Sequence, residues 1–396
     1  MIVDDVSGGV TATPGITAAG IAAGLKPSGA LDMALVAAPQ TVAAAAVQTR
    51  NQVTAAPVQV TARHVADGRA RAVLLNAGSA NVCTGPDGLT LAERSAVETA
   101  AALGCEAADV LLCSTGVIGV PIPEAPFLAG IPVLVDTLAA DGGATAARAI
   151  MTTDTVPKEA AVTVTDDAGS CTIGGMVKGS GMIAPEMATM LCVLTTDAPV
   201  SGPVLRAMLT EAVASTFGRI SVDDCMSTND AVVILATGTA APPPGLAAFS
   251  EGLHHVCQRL AEAVVRDGEG AAKLVRIRVR GAYRDDDAVA VGRAIARSAL
   301  VRTAVAGEDP NWGRVLAAMG AGPVAFDVNR VAVAFGGVTV CRFGVATAFD
   351  RGQAAAALRG NEVDITVDLG TGDAEATFLT CDLTHDYITI NAEYTT

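Results

Sequence analysis

Short runs of valine, leucine and isoleucine alternate with longer alanine-rich stretches along most of the chain, and this alternation leaves few folds open. The runs at 71–76, 110–113, 191–195, 274–279 and 363–369 are continuously apolar or alternate with period two, as strands do. The stretches at 91–103, 144–151, 204–217, 246–265 and 285–304 are alanine-rich and of helical length. Strand and helix following one another predict an α/β fold with a layered mixed-sheet core. Residues 160–164 and 171–176, with Thr165-Asp-Asp-Ala-Gly-Ser170 between them, read as a hairpin feeding a glycine-rich turn. A second, smaller α/β unit begins near Leu274, which divides the chain into a core at 1–275 and a C-terminal domain at 276–396.

Composition excludes several kinds of function. Hydrophobic residues make up 51% of the 396 positions, but the excess is largely alanine and valine. No run approaches the roughly 18 apolar residues of a membrane span. The opening Met1-Ile-Val-Asp-Asp-Val lacks a basic region followed by an apolar one, so a cytoplasmic location is expected. A net charge of −15 and 3% aromatics argue against a nucleic-acid partner, which calls for a basic stripe and stacking rings. Nine cysteines form no C-x-x-C pair, and the four histidines His64, His254, His255 and His385 enter no metal-binding or hydrolase pattern. A small substrate and no metal are expected.

Thr189 carries the most chemistry. It follows Lys178-Gly-Ser-Gly-Met182 and a small residue, Ala188. A threonine hydroxyl needs a base beside it to act as a nucleophile. Cutting the chain before Thr189 would supply one, an α-amine of pKa about 7.7–8.0. The plain alternative is an ordinary threonine between loop and strand. Thr115 and Gly116, at the exit of a predicted strand, could offer donors to an oxyanion, or form a simple turn. Thr152 belongs to a polar helix terminus, Lys178 could pair with a carboxylate, and Glu269 stands between two glycines. Each also has a purely structural reading.

Taken in order, these strings resemble the ornithine acetyltransferases, the glutamate N-acetyltransferase family of cyclic arginine biosynthesis. The matching residues are Asn76-Ala-Gly-Ser-Ala-Asn81-Val-Cys-Thr-Gly85, Cys113-Ser-Thr-Gly116, Ile150-Met-Thr-Thr-Asp154, the Lys178 and Thr189 strings, Ser227-Thr-Asn-Asp230, Asp267-Gly-Glu-Gly270, residues 307–314 and the terminal Asn391-Ala-Glu-Tyr-Thr-Thr396. Arg302 stands where many members carry lysine, and Gln48 where an aromatic residue is common. The resemblance implies a core like that of self-cleaving aminopeptidases, cut between Ala188 and Thr189 into segments 1–188 and 189–396. It implies Thr189 as nucleophile, Thr115 and Gly116 as the oxyanion hole, and Thr152, Lys178, Thr189, Glu269, Asn391 and Thr396 as substrate contacts. The expected reaction moves acetyl from N-acetylornithine to glutamate, giving ornithine and N-acetylglutamate, with no required cofactor and acetyl-CoA as an alternative donor. The two fragments would assemble as a heterotetramer or larger. An N-terminal-nucleophile aminopeptidase or amidase is the competing reading.

Overall fold

The computed structural model describes residues 1–184 and 190–393. Two mixed sheets organise them. The first has the strand order Ile2–Asp5, Lys158–Thr165, Ser170–Lys178, Leu191–Thr196, Ala231–Ala236, Met33–Gln48, Arg69–Ser79 and Val110–Val117, with Thr17–Ile21 also paired to Met33–Gln48. Its pivot is the 16-residue strand Met33–Gln48. The early part of that strand pairs with Thr17–Ile21 and Arg69–Ser79, and its last residues pair with Ala231–Ala236. Register against Arg69–Ser79 is interrupted between Ala37 and Val42, around the exposed Pro39 and Gln40.

The sheet folds back on itself about this interruption. Val36, Leu75 and Leu111 from one half share a core with Met176, Val193 and Val233 from the other. The helices Ala56–His64, Gly85–Leu103 and Glu124–Asp136 cover one outer face, through residues such as Val60, Ala96 and Phe127. Gly202–Ser215 and Leu246–Arg266 cover the other, through Leu209, Phe249 and Leu260. The result is helix, sheet, sheet, helix. Strands buried on both sides need apolar residues at every position, and Leu191–Thr196 shows why: Cys192 and Leu194 pack outward while Leu191 and Val193 pack inward.

The second sheet runs Val345–Ala346, Val338–Arg342, Ala332–Phe335, Glu362–Asp368, Leu274–Ala282, Ala374–Cys381 and Ile220–Ser221. One face is apolar and holds Val275, Ile277, Val279 and Phe378 against the helices Asp285–Ala296, Ala299–Ala306 and Trp312–Gly320. Ile220–Ser221, from the other side of the molecule in sequence, closes an edge by pairing in parallel with Leu379 and Thr380.

The expected strands stand within a few residues of their predicted positions, and the hairpin forms with Thr165 opposite Ser170. Two features differ. Met33–Gln48 is a strand despite its alanine content, because both faces of its first six residues are covered and small side chains let the sheet halves approach. The helix expected over 285–304 is two helices: Ser298 accepts a hydrogen bond from the Val301 N–H at 3.3 Å and so starts the second.

Candidate active site

Gly116 lies near the end of Val110–Val117 at φ +127°. A Cβ there would stand 2.3 Å from the Gly78 carbonyl carbon, so only glycine fits where the two strands pinch together. Register also shifts at Gly78 and Ser79, a bulge that re-aims the strand end. Thr115 is buried beside it. Its Oγ1 accepts a long hydrogen bond from Lys178 Nζ at 3.5 Å. Four strands separate these two residues' strands in the sheet order, and the fold-back of the sheet brings the side chains together.

Lys178 ends the strand Ser170–Lys178 and is buried with Asp154 and Lys158. Asp154 accepts from Lys158 Nζ at 2.7 Å, from the Gly179 N–H at 2.7 Å and from the Thr152 N–H at 3.0 Å, and lies 4.0 Å from Lys178 Nζ. Burial alone would raise the Asp154 carboxyl; the two lysines and these hydrogen bonds outweigh it and hold the group at about 2. Burial pulls the Lys178 amine below the ordinary lysine value, against the opposing pull of Asp154. Lys158 also reaches Asp267 at 2.5 Å, and Ser180 Oγ donates to the Asp267 carbonyl at 2.6 Å. This network ties the turn carrying Thr152 and the strand end carrying Lys178 to the loop carrying Glu269.

The Glu269 carboxyl packs over Gly181, where a Cβ would lie 2.3 Å from it. Its Oε2 accepts from Asn391 Nδ2 at 2.8 Å, so the helix His385–Glu393 closes one side of the site. Asp223 accepts from the Met182 and Ile183 N–H groups at 2.6 and 2.8 Å. Burial raises its carboxyl, opposed by these backbone bonds. Asn229 Nδ2 donates to the carbonyls of Ala80 and Ser114 at 2.6 and 2.8 Å, fixing the approach to Thr115.

Thr115, Gly116, Thr152, Lys178, Glu269 and Asn391 all line one cleft of about 270 Å³. It holds a buried cation and an acid, and suits a small zwitterion better than a macromolecule. Ala188, Thr189 and Thr396 lie outside the described residues. Residues 307–314 do not line this cleft: Asn311 instead caps the helix Trp312–Gly320 by accepting from the Arg314 N–H at 3.1 Å. Sequence reasoning missed Asp154, Asp223, Asn229 and Tyr387 as members of the site. Asp154 and Asn229 fell within strings already singled out, but nothing local marks a carboxylate that will be buried between two lysines.

A model of the ArgJ family matches residues 17–396. The arginine biosynthesis bifunctional protein ArgJ of Mycobacterium leprae is 49% identical over 395 residues, covering 98% of this chain and 95% of its own. Its counterpart of the same name from Thermobifida fusca is 49% identical over 390 residues, covering 98% and 100%. The crystal structure of ornithine acetyltransferase complexed with ornithine from Mycobacterium tuberculosis is 47% identical, covers 46% of this chain and 98% of the solved one, and superposes with a TM-score of 0.44. With the family's pattern running through all but the first 16 residues and relatives matched almost end to end, the chain belongs to the ArgJ family.

Proposed function

We propose that this cleft performs acetyl exchange through Thr189, after the chain cuts itself between Ala188 and Thr189. As a member of the ArgJ family the chain is an acyltransferase of arginine biosynthesis, and its relatives are named bifunctional. In the first step the Thr189 hydroxyl attacks the Ala188 carbonyl, the peptide C–N bond breaks, and an ester forms. Water hydrolyses that ester and leaves Thr189 with a free α-amine. The amine then takes the hydroxyl proton as the oxygen attacks the acetyl carbonyl of N-acetylornithine. The tetrahedral oxyanion is held at Thr115 and Gly116. Lys178 donates to Thr115 Oγ1, which leaves the Thr115 proton free to point at that oxyanion.

The tetrahedral intermediate collapses, ornithine leaves with the proton, and acetyl-Thr189 remains. Glutamate's amine attacks this ester, giving N-acetylglutamate and restoring the hydroxyl. Lys178 and Glu269 supply opposite charges for a zwitterion, with Thr152, Asn391 and Thr396 orienting its polar groups. Acetyl-CoA would enter as a second donor, its thioester carbonyl taking the place of the amide. The relatives' bifunctional naming supports that step. Assembly of the two fragments into a heterotetramer or larger, in the cytoplasm, belongs to the same proposal. Among the described residues no helix is long and apolar enough to cross a membrane.

The carrying observation is that six expected positions, spread from 115 to 391, meet in one cleft. Mass spectrometry after mixing the protein with N-acetylornithine alone tests the reading. The expected result is two fragments, with an added acetyl on the first peptide of segment 189–396. Thr189→Ala should run as a single uncut chain with no adduct and no exchange. An adduct on another side chain, or a fully active uncut preparation, would end the proposal. Adding glutamate separates the rival hydrolase reading: transfer yields N-acetylglutamate, hydrolysis yields free acetate.

A further inference from the structure

Asp230 takes no part in the chemistry above, yet it grips the residue bonded to Thr189. The side chain has no exposed surface. Its Oδ1 accepts the Met190 N–H at 2.9 Å, and the next residue, Ala231, donates its N–H to the Met190 carbonyl at 3.2 Å. Asp230 is itself fixed, since its main-chain carbonyl accepts from the Thr49 N–H at 3.0 Å. Both polar main-chain groups of Met190 are therefore held by one short segment. Oδ2 accepts no well-formed hydrogen bond among the described residues, although the Ser227 side chain acts on the carboxyl. Lys178 is the charged group that acts on it. Burial pushes the carboxyl well above its ordinary value, against the opposing pull of the Met190 N–H, Ser227 and Lys178.

We infer that Asp230 is a positioning residue for the nucleophile, anchoring through the Met190 N–H the peptide unit that Thr189 shares with Met190. The inference rests on Thr189 being the nucleophile. A peptide unit is planar, so holding its N–H restricts the residue on its other side. Self-cleavage makes Thr189 the first residue of a new chain, and first residues fray unless tied down. The bond to Asp230 supplies that tie one residue downstream, where it leaves the α-amine and hydroxyl unencumbered. The role requires an acceptor of the right length and needs neither charge nor a transferable proton.

Two variants of the full chain decide it. Asp230→Asn keeps an acceptor for Met190 and should cleave and turn over close to wild type, with an unchanged pH profile. Asp230→Leu removes the acceptor at similar size; self-cleavage and kcat should fall about 100-fold, the cost typical of a misplaced reacting group. KM for N-acetylornithine should hold, because Lys178 and Glu269 are untouched. Turnover by Asp230→Leu at the wild-type rate would overturn the inference. So would an Asp230→Asn variant as slow as Asp230→Leu, since the role would then require a charge or a transferable proton. If Asp230→Leu does not fold, Asp230→Asn still decides, together with hydrogen exchange at the Met190 amide of the wild type: slow exchange is expected, and fast exchange refutes the anchor. A wild type that never carries acetyl on Thr189 refutes the nucleophile instead, which keeps the two failures apart.

Discussion

The two sheets obey different rules. In the first, Leu191–Thr196 and Ala231–Ala236 are buried at every position. In the second, Val275, Ile277 and Val279 face the core while Arg276, Arg278 and Arg280 alternate with them on a face paired to Glu262, Asp364 and Asp368. The difference assigns labour. A sheet covered on both sides has dry strand ends, where a lysine such as Lys178 can be buried against Asp154 and Thr115. The second sheet presents half of itself to water, and its contribution to the cleft comes from flanking segments, Glu269 just before it and Asn391 after it. Electrostatics in the first region is therefore structural and chemical, while in the second it is mostly solvated.

Four substitutions and one titration sharpen that contrast. Asp154→Ala should cost most, about 3–5 kcal/mol in denaturant unfolding, because it strands the buried charge of Lys178 and leaves Lys158 with Asp267 alone. Leu194→Ala, in the fully covered layer, should cost about 3 kcal/mol by leaving a cavity beneath Leu260. The acid limb of stability comes next. The Asp154 carboxyl sits near 2 in the fold and about 3.9 when unfolded, so its contribution of about 2 kcal/mol is fully present above pH 4. It drains away as pH falls toward 2. Asp154→Asn should flatten that limb. Arg278→Ala, on the exposed face 3.7 Å from Asp364, should change stability by less than about 0.5 kcal/mol. A cost for Arg278→Ala equal to that of Leu194→Ala would erase the distinction between the sheets.

The contrast also explains what could be read from the residues in advance. Leu191–Thr196 announces itself because burial on both faces demands an unbroken apolar run. Leu274–Ala282 announces itself by strict alternation. Met33–Gln48 stayed hidden because alanine is at home in a helix and its strand character is imposed by neighbours on either side. The junction at Ser298 was missed because a serine after a helix-length stretch reads as continuation until its hydrogen bond to Val301 is seen. At the site, Thr115, Gly116, Lys178, Glu269 and Asn391 were legible as short strings recognised together. Asp223 and Asp230 were not, since each acts across the fold, on Met182 and on Met190, some 40 residues away in sequence.

The order of strands in the first sheet decides what a cut at Ala188 does to the molecule. Leu191–Thr196 and Ala231–Ala236 would belong to the downstream piece, yet they lie wedged between Ser170–Lys178 on one side and Met33–Gln48 on the other, both from the upstream piece. Parting the halves would tear two rows of backbone hydrogen bonds and open the central core to water. Proteolysis there would nick a weave without unravelling it: the halves should stay together through purification, and neither expressed alone could complete the sheet.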